Sequence, residues 1–323
     1  MAKVGVIVPV YGVEKYIERC ARSLFEQTLE DIEYLFIDDC TPDRSIEILQ
    51  NVLEDYPQRK TQVVIHRMEH NSGQAVVRER GTQIIKSEYV IHCDSDDYVD
   101  ANMYKILYDK AIEGDYEMVV CDYATITDGV VSNKHCPVPE SKFDCISQLL
   151  SHQFPSYMWN KLVKREIYQA TDIEWPKGNL WEDLATMIQV IQKVERIAYI
   201  NTPLYYYCFN PRSIVNNKSK ENIVQNFLSR RENMKIMIKS LSNKALIKTY
   251  SDIIVDMKFN SLQLLYPYVN DRKIYDLLLF SYPNMVMTFL LSRHVTIRSK
   301  ILYILALMRL YPVVLSVLKI KFR

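Results

Sequence analysis

Glu88-Tyr89-Val90-Ile91-His92-Cys93-Asp94-Ser95-Asp96-Asp97 decides the fold. Its first six residues make a short, mostly apolar run, the pattern of a strand buried on both faces of a parallel sheet, and its last four hold three carboxylates. Three strands of the same kind precede it, at Val4–Val10, 33–37 and 62–65. Helical signals alternate with them. Residues 14–27 place Ile17, Cys20, Ala21, Leu24 and Phe25 on one stripe, and Thr41-Pro42 offers an N-cap and a proline at N1 ahead of Ile46, Leu49, Val52 and Leu53. A third helix is expected over 74–85. The series β-α-β-α-β-α-β predicts a doubly wound, mostly parallel, Rossmann-like α/β sheet with its ligands at the carboxyl ends of the strands.

Beyond residue 101 the pattern loosens into a helix near 103–112, a strand at 118–122 and a mixed segment ending at Tyr205-Tyr206-Tyr207. After Asn216 the sequence reads as helix upon helix, glycine-free from 179 and punctuated only by Pro267, Pro283 and Pro312. A boundary is expected near 215, giving an α/β domain over 1–215 and an all-helical region over 216–323.

Only seven of the 323 residues are glycine, at positions 5, 12, 73, 81, 114, 129 and 178. None are spaced for G-x-G-x-x-G, for a P-loop or for G-x-S-x-G, so a bound nucleotide must be held by other means. Seven cysteines without a C-x-x-C pair read as free thiols, and no leader precedes the first strand, so a cytoplasmic location is expected. A net charge of +1 gives no pull toward nucleic acid, yet it is unevenly spread: residues 272–323 carry nine basic side chains and one acidic. His66-Arg67-Met68-Glu69-His70 spells H-x-x-E-H, a zinc-peptidase pattern that requires a helix. His66 ends a β-branched strand and Asn71-Ser72-Gly73 is a turn, so that reading is set aside.

Asp38-Asp39 closes the second strand and Asp94-Ser95-Asp96-Asp97 the fourth, which brings both clusters to one rim. Like charges so close call for a cation, and an oxygen-rich cluster suits Mg²⁺ or Mn²⁺ held together with the phosphates of a ligand. The competing reading is a solvated acidic turn. Between the clusters, Asn71-Ser72-Gly73 leads into a helix start with Arg78 one turn inside. That arrangement is either a phosphate site or a plain turn carrying a surface arginine.

Val8-Pro9-Val10-Tyr11, Phe25-Glu26-Gln27-Thr28, Ile37-Asp38-Asp39, Asn71-Ser72-Gly73 through Arg78, Asp94-Ser95-Asp96-Asp97 and Trp181-Glu182-Asp183 together resemble glycosyltransferase family 2, of the GT-A fold and bacterial surface-polysaccharide type. The resemblance spans residues 4–213. It implies a nucleotide-sugar half over 1–100 and an acceptor half over 101–215, with a UDP-sugar as donor and a saccharide, or a lipid-linked saccharide, as acceptor. Pro9, Tyr11, Glu14 and Asp39 would surround base and ribose, Arg78 would lie near the diphosphate or ribose, and Asp94 and Asp96 would form the metal-and-ribose D-x-D, with Asp97 able to share the Mn²⁺ or Mg²⁺. Asp183 is similar to the family's base, which implies single displacement with inversion. Trp159, Asn160, Trp181 and Glu182 would line the acceptor side. Buried Trp159 beside a solvated Lys161, and a helix N-terminus favouring Glu182 and Asp183 through its dipole, are the plain alternatives. Arg212 is a further diphosphate candidate, and Glu79 departs from the Asn common at its position.

Other classes remain open at this level. A sugar-nucleotide nucleotidyltransferase would need a glycine-rich loop that Pro9-Val10-Tyr11-Gly12-Val13-Glu14 does not supply, and a non-catalytic saccharide-binding protein would not need Asp96 and Asp183. Residues 295–323 interleave apolar side chains with Arg298, Lys300, Arg309, Lys319, Lys321 and Arg323. Two readings compete for this tail: a basic amphipathic segment on the inner face of the cytoplasmic membrane, or a helix packed on the helical region or against a second copy.

Overall fold

The computed structural model describes residues 1–210, 219–241, 244–282, 285–292 and 295–312, and it divides the chain into two compact units, Met1–Pro211 and Arg212–Arg323. The boundary expected near 215, Arg212 and the tail beyond Pro312 lie outside the described residues.

The first unit is built on a nine-stranded mixed sheet. Strands β1 (Val4–Val10), β2 (Ile32–Asp38), β3 (Val63–Arg67) and β4 (Tyr89–His92) run parallel in the order β3-β2-β1-β4. The sheet continues through antiparallel β8 (Lys161–Lys164) to β6 (Met118–Thr127), β9 (Ile197–Cys208) and the short β5 (Tyr98–Val99), while β7 (Val130–Lys134) forms a hairpin on β6. Helices α1 (Ile17–Phe25), α2 (Ser45–Glu54), α3 (Gln74–Ile84), α4 (Met103–Glu113), α5 (Lys142–Leu150), the single turn α6 (Arg165–Tyr168) and α7 (Glu182–Lys193) belong to this unit.

Local sequence explains most of these elements. The apolar side chains of β1 are wholly buried, and the predicted stripe of α1 from Ile17 to Phe25 is buried along its length. Helix α3 lies close on the sheet because Gly81 faces Ile7: a Cβ there would stand 2.5 Å from the Ile7 side chain. The second helix begins at Ser45, later than Thr41-Pro42 suggested. Thr41 and Asp43 are engaged elsewhere, accepting the backbone N–H groups of Gly12 at 2.8 Å and Glu14 at 3.0 Å, so they tie the loop after β1 to the loop after β2.

Pro9 marks where the sheet opens. A proline has no N–H to give a central strand, but β4 has ended at His92 and pairs only with Val4–Ile7, so nothing on that side needs the donor. The Pro9 carbonyl accepts instead from the Ser95 hydroxyl at 2.7 Å. The neighbours of β1 thus diverge at its carboxyl end, which is where a doubly wound sheet holds ligands.

In the second unit, α8 (Lys220–Ser240), α9 (Lys244–Thr249), α10 (Ser251–Gln263), α11 (Arg272–Phe280), α12 (Met285–Leu291) and α13 (Ile297–Leu307) follow one another. Ser219, Asp271 and Thr296 cap α8, α11 and α13 with their side chains. Phe259, Phe289 and Tyr303 meet in the core with ring centroids 5.2–5.7 Å apart. No single helix among the described residues is long and apolar enough to cross a membrane.

Candidate active site

The carboxyl ends of β1, β2 and β4 bring the predicted clusters to one rim. Asp39 is buried and its two oxygens accept the backbone N–H groups of Ser72 at 2.7 Å and Gly73 at 2.8 Å, which fixes the loop entering α3. Gly73 has φ +82° there, a conformation that favours glycine. Pro9 and Tyr11 stand on the same rim, Tyr11 half exposed, and Glu14 lies on the exposed loop with its carboxylate on the Arg44 N–H at 3.3 Å.

Arg78 is not a surface arginine. Its guanidinium is buried, with Nη2 2.7 Å from Asp94 Oδ1 and Nη1 3.1 Å from Glu182 Oε1. Burial works against its charge, but Asp94, Glu182 and Asp183 outweigh that and hold it protonated. Burial, reinforced by the Asp183 charge, pushes the Glu182 carboxyl up, with Arg78 pulling it back. The fork expected to meet a diphosphate is therefore turned inward, as a strut between the D-x-D segment and the start of α7. Glu182, expected among acceptor residues, is the other end of that strut.

The three carboxylates of the fourth-strand cluster separate by direction. Asp94 is partly exposed beyond its bond to Arg78, and Asp96 is partly exposed with Oδ2 accepting from the Asn210 amide at 2.8 Å. Burial and the neighbouring Asp94 charge raise the Asp96 carboxyl. Asp97 points the other way. It is fully buried, accepting from the Tyr205 hydroxyl at 2.7 Å and the Cys208 N–H at 2.7 Å, and burial pushes it well above the usual carboxylate range. The expectation that Asp97 shares a metal is corrected: both oxygens latch β9 to the rim. Among the described residues no group of three His, Cys, Asp or Glu side chains converges on a metal position. Two rim carboxylates remain, and they fit Mg²⁺ or Mn²⁺, which take one or two carboxylates plus substrate phosphates.

Tyr205, the first of the three consecutive tyrosines, joins this machinery. Its hydroxyl accepts the Asp94 N–H at 3.0 Å while donating to Asp97. Its ring ends a column in which Trp159 stacks on Tyr205 at 4.1 Å and on Tyr157 at 4.5 Å.

On the acceptor side the structure revises several expectations. Trp159 is buried inside that column and Asn160 is buried with its amide donating to the Cys121 carbonyl at 2.9 Å. Lys161, solvated in the plain alternative reading, is fully buried. Trp181 adopts φ +64° as the N-cap of α7 and packs 5.7 Å from the His152 ring. Asp183, one residue into the helix, accepts from the Ser156 hydroxyl at 2.9 Å and from the Leu184 N–H at 2.7 Å. Ser156 also lines a cavity of about 350 Å³ together with Tyr123, His135, His152, Gln153 and Tyr157. Glu79 pairs with Lys177 at 3.0 Å, and His66 lies in strand β3 and not on a helix.

Residues 5–179 match the family model described as Glycosyl transferase family 2. The chain belongs to that family. An uncharacterized glycosyltransferase of Bacillus subtilis, EpsJ, is 31% identical over 225 residues, which are 65% of this chain and 62% of that protein. Staphylococcus aureus TarS 1-349 in complex with UDP-GlcNAc superposes with a TM-score of 0.58 at 17% identity, covering 99% of this chain and 93% of that one. The mannosyltransferase PcManGT of Pyrobaculum calidifontis, in complex with GDP-Man and Mn²⁺, gives a TM-score of 0.53 at 12% identity, covering 99% and 88%. At such identities the structural likeness shows the GT-A fold alone, and that is the α/β architecture expected from the strand and helix pattern.

Proposed function

We propose that the chain transfers a sugar from a UDP-sugar to a glycan acceptor with inversion at the anomeric carbon, Asp183 removing the proton of the incoming hydroxyl. The observation that carries this reading is the Arg78 strut, which locks Asp94 to Glu182 and so holds the D-x-D segment beside Asp183. Donor carboxylates and base are thereby set in one rigid frame. UDP is favoured because a protein of the same fold is solved with UDP-GlcNAc. Pro9, Tyr11, Glu14 and Asp39 would surround base and ribose.

Asp96, with the outer oxygen of Asp94, would hold Mn²⁺ or Mg²⁺, and such an ion supplies Lewis-acid stabilisation of the leaving diphosphate. The chain's own part is proton management and orientation. Asp183 keeps lone pairs for a substrate hydroxyl after accepting from Ser156 and Leu184. Its neighbour Glu182 is held by Arg78 and so is not free to act as a second nucleophile, which favours one displacement over two. The cavity beside Ser156, with Tyr123 and Tyr157 in its wall, is the seat for the acceptor sugar. Product stereochemistry tests the reading: an α-linked UDP-sugar should give a β-glycoside by proton NMR, and an α-glycoside would overturn it.

In the second unit, Ile297, Ile301, Ile304 and Met308 form one stripe along α13, 41 to 77% exposed, beside Arg298, Lys300 and Arg309. This face supports peripheral attachment to an anionic membrane surface, where a lipid-linked acceptor would be presented.

A further inference from the structure

Lys161 opens β8 and is fully buried. Its Nζ donates to the Pro155 carbonyl at 2.7 Å, the Tyr157 carbonyl at 2.9 Å and Asn160 Oδ1 at 2.8 Å, and lies 5.0 Å from the centroid of the Phe154 ring. An ammonium has three donors, and here each finds an acceptor. Two of those acceptors flank Ser156, whose hydroxyl donates to Asp183 Oδ2 at 2.9 Å. Burying an ammonium is costly, and a packed methionine would fill the space without that cost. What the charge adds is a fixed backbone on either side of Ser156.

We infer that Lys161 is a positioning residue for the transfer step: its ammonium pins residues 155–157 so that the Ser156 hydroxyl holds the Asp183 carboxylate toward the acceptor. The inference rests on the reading of Asp183 as the base. Four titratable groups face the ammonium: Cys121 from β6, Cys136 from the segment after β7, Cys145 from α5 and Asp183 from α7. Burial pushes Lys161 down to about 8 against the pull of the Asp183 carboxylate. Burial raises the thiols too, Cys136 and Cys145 to about 11 and Cys121 further, so Lys161 titrates before them. Below about pH 8 all three hydrogen bonds are made. Above it the amine has two N–H groups for three acceptors, and the clamp on Ser156 loosens. Transfer should therefore slow as pH rises through about 8, with donor binding unchanged.

The test measures kcat and UDP-sugar affinity of the full chain from about pH 6 to about pH 10. Wild type is compared with Ser156→Ala, Lys161→Met, the double variant and Asp183→Asn. Ser156→Ala should lose about tenfold in kcat, keep donor affinity and lose the alkaline fall. Adding Lys161→Met to Ser156→Ala should cost nothing more, because both act through one contact. An alkaline fall as steep in Ser156→Ala as in wild type, none in wild type, or full additivity in the double variant would overturn the inference. If Lys161→Met does not fold, the Ser156→Ala pH profile decides alone. Transfer that survives Asp183→Asn removes the base reading itself; transfer abolished in Asp183→Asn but unaffected in Ser156→Ala removes only the clamp.

Discussion

Arg78 and Glu182, 104 residues apart in the chain, share a buried ion pair at 3.1 Å, and the other arm of the same guanidinium holds Asp94. One side chain therefore joins the two halves of the rim. A buried cation between two carboxylates is costly to break singly.

Arg78→Met should destabilise the first unit by about 3–5 kcal/mol, because it leaves the buried Glu182 and the partly exposed Asp94 without their counter-ion. Glu182→Gln should do less harm, since the amide oxygen still accepts from Arg78. Urea unfolding of the two variants checks the order, and equal losses would contradict it.

Asp96→Asn and Asp97→Asn should fail in opposite ways. Asp96 faces the rim, so its amide should lose metal-dependent UDP-sugar binding with thermal stability intact. Asp97 latches β9 through Tyr205 and Cys208, so its amide should lose about 1–3 kcal/mol of stability and keep its response to Mn²⁺. Thermal shifts with and without metal and UDP-sugar distinguish them.

The contrast between these neighbours shows where the sequence was legible. Asp39, Asp94 and Asp96 could be placed on one rim because strand ends follow from local apolar runs. Asp97 has the same chemistry as Asp96, and what turns it inward is Tyr205, more than a hundred residues later. Arg78 likewise carries no local sign of depth, because α3 seats it against acids from the segment after β4 and from the start of α7. Asn160 and Lys161 could be singled out in the sequence, yet their burial depends on contacts with the 154–157 segment. Ser156 had no signal of its own.

Ile301→Glu with Ile304→Glu should abolish flotation of the full chain with phosphatidylglycerol liposomes, while wild type floats at low salt and less at high salt. Equal flotation of both would remove the membrane reading. A dimer in light scattering without flotation would assign the face to a second copy.

Asp183→Asn is the most direct measurement of the central claim. The variant keeps the shape of the site, and its amide oxygen still accepts a hydrogen bond where Asp183 meets Ser156 and Leu184, but it cannot take a proton from the acceptor. It should bind UDP-sugar as wild type does and lose transfer by at least about a hundredfold. Wild-type transfer by Asp183→Asn, with donor binding unchanged, would contradict the assignment.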